Sequence, residues 1–262
     1  MNEKKVLLSF DVEEFDMPLE YGQHISMEQQ LQTGFDGFTT VMKIIDDAGI
    51  PVTLFTTANF ALNYSSYMQM LLAHHEIASH TFYHSTFKTE DLLASRITLE
   101  KICNRKVKGL RMPRMRKVHM HAVKAAGYYY DSSINPTWIP GRYNNFHLPR
   151  TIYSEDEILV VPASVSPAIR IPLFWLSFKN LPYKLFLNLV RQTLHKDGYV
   201  CLYFHPWEFV NLEQFSIPRY SKRIMGEKLQ YRLMRLINDL KKEASFSTIE
   251  NYLQAGYLKD EK

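Results

Sequence analysis

Short apolar runs punctuate the chain at Val6–Phe10, Val52–Thr56, Glu76–Ser79, Gly109–Met112, Tyr128–Asp131, Leu159–Pro162 and Tyr199–Phe204. Several lack polar alternation, as strands buried on both faces should. Between them lie stretches of helical period, at about 27–48, 58–74, 89–104, 117–126, 183–196 and 221–243. Gly49, Gly127 and Gly198 follow three of these, where a left-handed helix stop belongs. The βαβα rhythm predicts an α/β protein with a parallel sheet, open or closed into a barrel. There is no internal repeat, low-complexity tract or linker, so residues 1–262 read as a single domain. One stretch breaks the rhythm. Residues 171–190 are aromatic and interrupted by prolines, and are expected to form a loop folded over the barrel wall. The competing reading is a lip that touches an acceptor or a membrane surface.

Composition narrows the class. The chain has 262 residues, and a closed α/β barrel commonly needs about 250. Hydrophobic residues make up 46%, enough for a core. A net charge of +4, from 31 basic and 27 acidic residues with no basic stripe, argues against a nucleic-acid partner. The apolar run after Met1-Asn-Glu-Lys-Lys is too short for a signal core, and no run is long enough to span a membrane. The expected location is the cytoplasm, at the inner membrane face if the substrate is lipid-linked. Cys103 and Cys201 read as buried thiols.

Three strand-like runs stop at ionisable residues: Asp11-Val-Glu13-Glu14, His80-Thr-Phe-Tyr-His84 and His205-Pro-Trp-Glu208. Sites of α/β proteins lie at the carboxyl ends of strands. The spacing of His80 and His84 would put both imidazoles on one face of a helix. Two imidazoles and a carboxylate make a three-ligand site with open positions, suited to zinc or to Fe(II). On an extended strand Asp11 and Glu13 share a side and Glu14 faces away. A turn after Asp11 would keep Glu14 in play. With Glu13 on the metal, Asp11 is free to act as a base on a water acidified by the ion, and a protonated His205 can give its proton to the leaving group. Arg111 would orient Asp11 and keep it ionised, and Asp131, hydrogen-bonded to His205, would fix the tautomer of that acid. Equally, Arg111 and Asp131 would serve as a structural ion pair or a helix cap.

The order Ser-Phe-Asp11-Val-Glu-Glu, Glu-Ile-Ala-Ser-His80-Thr-x-x-His84, Arg111-x-Pro113, Tyr130-Asp131-Ser-Ser and Leu-Tyr-Phe-His205-Pro-Trp-Glu resembles the polysaccharide deacetylases of the NodB-homology type. The likeness is to the branch with a His-Pro-Trp-Glu last motif, often linked to exopolysaccharide synthesis. It runs in order over about 6–208, and residues 245–258 are similar to that branch's tail. The resemblance implies a distorted (β/α) barrel of about seven parallel strands, a divalent metal (usually Zn2+), and removal of acetyl from an N- or O-acetylated sugar. Carried over by motif, Asp11 is the base and Arg111 its support. His205 is the acid and Asp131 its orienter. His80 and His84 are metal ligands, with Glu13 as the third. Pro113, Arg114 and Trp207 become candidate substrate contacts.

The departures are specific. Asp11-Val-Glu-Glu stands where two adjacent aspartates and a glycine are common. Arg114-Met-Arg-Lys117 stands where small or aromatic residues are usual, and its two arginines would suit an anionic sugar or a pyrophosphate carrier. The branch's glycine-rich loop is replaced by the segment around Phe174–Leu181. The alternatives are a catalytically idle barrel that binds a glycan and a metal-independent amide hydrolase of the same fold.

Overall fold

The computed structural model describes residues 3–257. Met1, Asn2 and the last residue of the 245–258 tail lie outside that range. The main sheet is built from β1 (Lys5–Val12), β2 (Thr53–Thr56), β3 (Glu76–Ser79), β4 (Gly109–Leu110), β5 (Tyr130–Asp131), β8 (Tyr153–Glu155), β9 (Ile158–Val160), β10 (Tyr199–Phe204) and β11 (Ser245–Phe246). A separate hairpin pairs β6 (Trp138–Ile139) with β7 (Tyr143–Asn144). The order is β10-β1-β2-β3-β4-β5-β9-β8, and β11 pairs with the start of β1. Neighbours are parallel except β8 and β9, which form a hairpin at one margin.

The sheet curls into a distorted barrel whose seam, between the chain after β9 and β10, has no regular ladder. Ser164 bridges it: its N–H donates to the Cys201 carbonyl (2.9 Å), and its Oγ accepts from the Cys201 N–H (2.8 Å). Side chains that point inward along alternating strand positions, among them Leu7, Phe55, Ala78, Tyr130 and Cys201, fill the lower barrel. Ile249 and Leu253, from the helix Ile249–Gly256, close its floor. The larger core lies between the sheet and its surrounding helices.

The helix Met27–Ala48 matches its sequence expectation residue for residue and stops at Gly49 in the left-handed region. Its Gly34 and Gly37 bring the helix onto the loops after β1 and β10. A Cβ on Gly34 would stand 2.4 Å from the Glu13 carbonyl oxygen, and one on Gly37 would stand 2.2 Å from that of Pro206. Both loops carry site residues, so this close approach fixes the entry of two motifs at once.

Other expectations shift. The stretch 58–74 is broken into Ala58–Asn63, Ser65–Met70 and a 3-10 turn at Leu71–Ala73, and 221–243 divides into Arg219–Lys222 and Gly226–Leu240. Residues 171–190 contain a short helix, Trp175–Asn180, and the start of the helix Tyr183–Asp197. Leu173, Phe174, Phe178, Phe186 and Val190 are buried there, so the segment packs over the barrel wall with its aromatic faces inward. Among the described residues no helix is long and apolar enough to cross a membrane. Cys103 and Cys201 are buried free thiols.

Candidate metal and acid-base site

Ser9, Asp11 and Glu13 succeed one another along the inner side of β1 and its extension, as strand alternation requires. Glu13 meets the two histidines. Its Oε2 lies 3.0 Å from His80 Nε2 and 3.2 Å from His84 Nε2. One donor atom from each of the three residues falls within 4.8 Å of the others, and all three side chains are buried.

The histidines are not on a helix, as their spacing had suggested. They flank a turn after β3 in which Thr81 adopts φ 64°. That turn is pinned from the start of the helix Ala58–Asn63: the Ala58 N–H donates to the Thr81 carbonyl and the Asn59 N–H to that of Phe82. The imidazole centroids lie 5.7 Å apart with planes 21° from parallel. Glu14 faces away, accepting from Thr57 Oγ1 (2.9 Å) and Asn59 Nδ2 (2.6 Å). The structure therefore places Glu13, not Glu14, with the histidines.

Each donor is oriented from behind. His80 Nδ1 donates to the Arg111 carbonyl (2.8 Å), which can only accept, so Nε2 keeps its lone pair in the neutral ring. Asp16 Oδ1 stands 2.8 Å from His84 Nδ1. Trp207 Nε1 donates to Glu13 Oε1 (2.9 Å). Glu13 Oε2 and His80 Nε2 are nevertheless buried without a hydrogen-bond partner among the described residues. Buried polar atoms are costly unless satisfied, so these converging atoms fit a divalent cation. Burial pushes the Glu13 carboxyl up, but His84, His205 and His80 together hold it well below its ordinary range. Burial pushes His84 down, and Glu13 and Asp16 outweigh it, raising the imidazole to about 9. Metal binding at this position must therefore displace a proton.

Beside this cluster Asp11 Oδ1 accepts from Arg111 Nη1 (2.7 Å), leaving Oδ2 3.8 Å from His205 Nε2. Arg111 is fully buried. It donates to Ser9 Oγ (2.9 Å), the Ser132 carbonyl (3.1 Å) and Ser132 Oγ (2.9 Å), and lies over the Phe55 ring at 4.0 Å. Desolvation lowers its pKa, but Asp11 outweighs that and raises it.

His205 differs from the sequence expectation. Its Nδ1 pairs with Glu208 Oε1 (3.0 Å), three residues on in the same 3-10 turn, not with Asp131. Glu208 also accepts from the His205 N–H (2.8 Å), and its other oxygen meets the buried Lys179 Nζ (2.9 Å). The His205 ring stacks on Trp207 (centroids 5.0 Å) and meets Trp175 edge-on (5.2 Å). Burial lowers its pKa, but Glu13, Glu208 and Asp11 raise it overall, favouring the protonated ring. Asp131 instead accepts from Ser133 Oγ and the Ser133 N–H (3.0 Å), and burial pushes it up to about 6.

Asp11, Glu13, His84, Trp175, His205 and Trp207 line a cavity of about 370 Å³. Pro113 is buried in the turn behind the rim. Arg114 lines the cavity too, but its Nη2 is held by Asp16 Oδ2 and Glu20 Oε1, each at 2.8 Å. Sequence reasoning missed Asp16, Glu208, Lys179 and Trp175. Only Glu208, quoted within the motif His205-Pro-Trp-Glu208, carried a signal: a glutamate at the third position of a turn is placed to reach back to the turn's first residue.

The family model described as polysaccharide deacetylase matches residues 1–130. No curated protein matches the chain by sequence. Among solved structures, the chain is similar to the allantoinase Puue, with a TM-score of 0.66 at 15% identity over 98% of this chain and 92% of that one. It is similar to a "probable polysaccharide deacetylase" of Pseudomonas aeruginosa PAO1, with a TM-score of 0.65 at 15% identity over 97% and 92%. It is also similar to a CE4 family pseudoenzyme of Bacillus anthracis, with a TM-score of 0.53 at 13% identity over 96% and 66%. At these identities the likeness is one of fold, the distorted barrel.

Proposed function

We propose that this chain, which belongs to the polysaccharide deacetylase family, is a metal-dependent hydrolase that removes acetyl groups from an N- or O-acetylated sugar. The observation that carries the reading is the convergence of Glu13, His80 and His84 donor atoms beside Asp11 and His205 in one cavity. The donor set suits zinc. A divalent ion held by those three residues would supply Lewis acidity, polarising the acetyl carbonyl and making water more acidic.

The remaining work falls to side chains. Asp11 Oδ2, the oxygen not held by Arg111, accepts a proton from the attacking water. Arg111 fixes the Asp11 carboxylate in place. His205 Nε2 gives a proton to the departing nitrogen or oxygen as the bond to the acetyl carbon breaks, and acetate leaves. Glu208 holds Nδ1–H, which keeps the reactive proton on Nε2, and Lys179 offsets the buried carboxylate behind it. Trp207 stacked on the His205 ring and Trp175 edge-on to it confine the ring. Action on a cell-surface polysaccharide or exopolysaccharide is the finer reading, supported by the His205-Pro-Trp-Glu208 motif.

The test is acetate release from a panel of N- and O-acetylated saccharides by zinc-supplemented protein, with and without chelator. Chelator-sensitive release is expected. Saccharide binding without release would favour the idle barrel, and release that survives chelation would favour a metal-independent hydrolase.

A further inference from the structure

A second cavity, of about 660 Å³, adjoins the first. Both are lined by Glu20, Arg114, Met115, Arg142 and Tyr143, so one groove runs over the β6–β7 turn. The charges along it are unevenly matched. Arg114 is committed to Asp16 and Glu20. Asp131 is engaged by Ser133. Arg116, Lys117 and Arg142 are exposed and, among the described residues, form no ion pair with a carboxylate; Arg116 lies 5.7 Å from the Phe87 ring centroid. Glu155, also in the lining, forms no ion pair among the described residues. Tyr153, also in the lining, has a buried hydroxyl with no hydrogen-bond partner among the described residues. Arg114 and Met115 both adopt positive φ, 58° and 52°, a strained path for such side chains. It divides the run, with Arg114 held by Asp16 and Glu20 and Arg116 left in the second cavity.

We propose that the second cavity is a subsite for an anionic group, carboxylate or phosphate, on the saccharide that extends from the reacting residue, held by Arg142 with Arg116 and Lys117. The proposal rests on the deacetylase reading of the adjoining cavity and narrows its substrate to an extended, acidic acetylated saccharide. Guanidinium groups left without carboxylates favour planar oxyanions, and a groove longer than one sugar gives the anion a fixed distance from the acetyl group.

The test compares three probes by calorimetry at low salt on the full chain. They are an N-acetylglucosamine tetramer, a tetrasaccharide alternating N-acetylglucosamine with glucuronate, and N-acetylglucosamine 1-diphosphate. At least one acidic probe is expected to bind about tenfold more tightly than the neutral one. Which acidic probe it is assigns the anion as carboxylate or phosphate. The triple variant Arg142→Gln/Arg116→Gln/Lys117→Gln alters exposed side chains and should fold normally, yet it should abolish the preference. Equal binding of all three probes, or a preference that survives in the triple variant, overturns the subsite. A subsite that passes this test in a zinc-supplemented chain releasing no acetate stands, and the deacetylase reading falls instead.

Discussion

Two buried glutamates sit at opposite ends of the same barrel and are treated in opposite ways. Glu76, at the start of β3, has both oxygens occupied: Oε1 accepts from Tyr130 OH (2.6 Å), and Oε2 accepts from Thr53 Oγ1 (2.7 Å) and the Glu250 N–H (3.0 Å). No cation pairs with it among the described residues, and burial pushes its carboxyl up to about 7. Glu13, past the end of β1, has one oxygen held by Trp207 and the other turned to two imidazoles with no hydrogen bond of its own, and the histidines keep it ionised. The first arrangement ties a floor helix to the barrel. The second leaves a charge and unshared lone pairs converging in a cavity. Burial and a perturbed pKa are common to both, so neither marks a site; unsatisfied donor atoms that converge do.

The largest expected break in that contrast is His84→Ala. It should reduce bound metal to near zero and abolish acetate release; wild-type release from this variant would remove His84 from the site. Asp11→Asn should keep the metal and lower kcat about 10²–10⁴-fold, the range for a lost general base. Unchanged turnover would exclude Asp11 from that role. Trp207→Phe deletes the hydrogen bond to Glu13 while keeping an aromatic ring, and should weaken metal affinity about 10–100-fold. A dissociation constant equal to wild type would make Trp207 mere packing.

The smallest effect belongs to the floor. Because the folded Glu76 carboxyl titrates near 7 and its ordinary value is 4.5, the native state holds a proton that the unfolded chain releases. Its stabilisation is full below about 4.5 and is lost as pH rises through about 7. Glu76→Gln should therefore flatten the fall in Tm between pH 5 and 8 and leave metal content unchanged. An equally steep fall in the variant would show that another group titrates.

Much of this was legible in the chain. Val6–Phe10 and Tyr199–Phe204 announce buried strands by lacking alternation, and the period of two along β1 separates Asp11 and Glu13 from Glu14. What remained hidden depended on distance in space or on turn geometry. Asp131 ends β5 and was the expected partner for His205, but the 3-10 turn at Pro206–Phe209 folds Glu208 back onto the histidine. The proline-interrupted run around Trp175 masked a short helix whose Lys179, a charge among aromatics, is buried to meet Glu208. Asp16 lies beyond the strand in no periodic element, and its link to His84 spans residues that no local pattern joins.

The central claim is that Glu13, His80 and His84 form a metal site. The most direct measurement is the metal content of untagged protein purified without chelator, by mass spectrometry, before and after incubation with zinc. The account predicts about one divalent ion per chain, released as pH falls because protons compete for His84. A chain that takes up no metal even with zinc in excess would contradict it and leave the converging donors without a purpose.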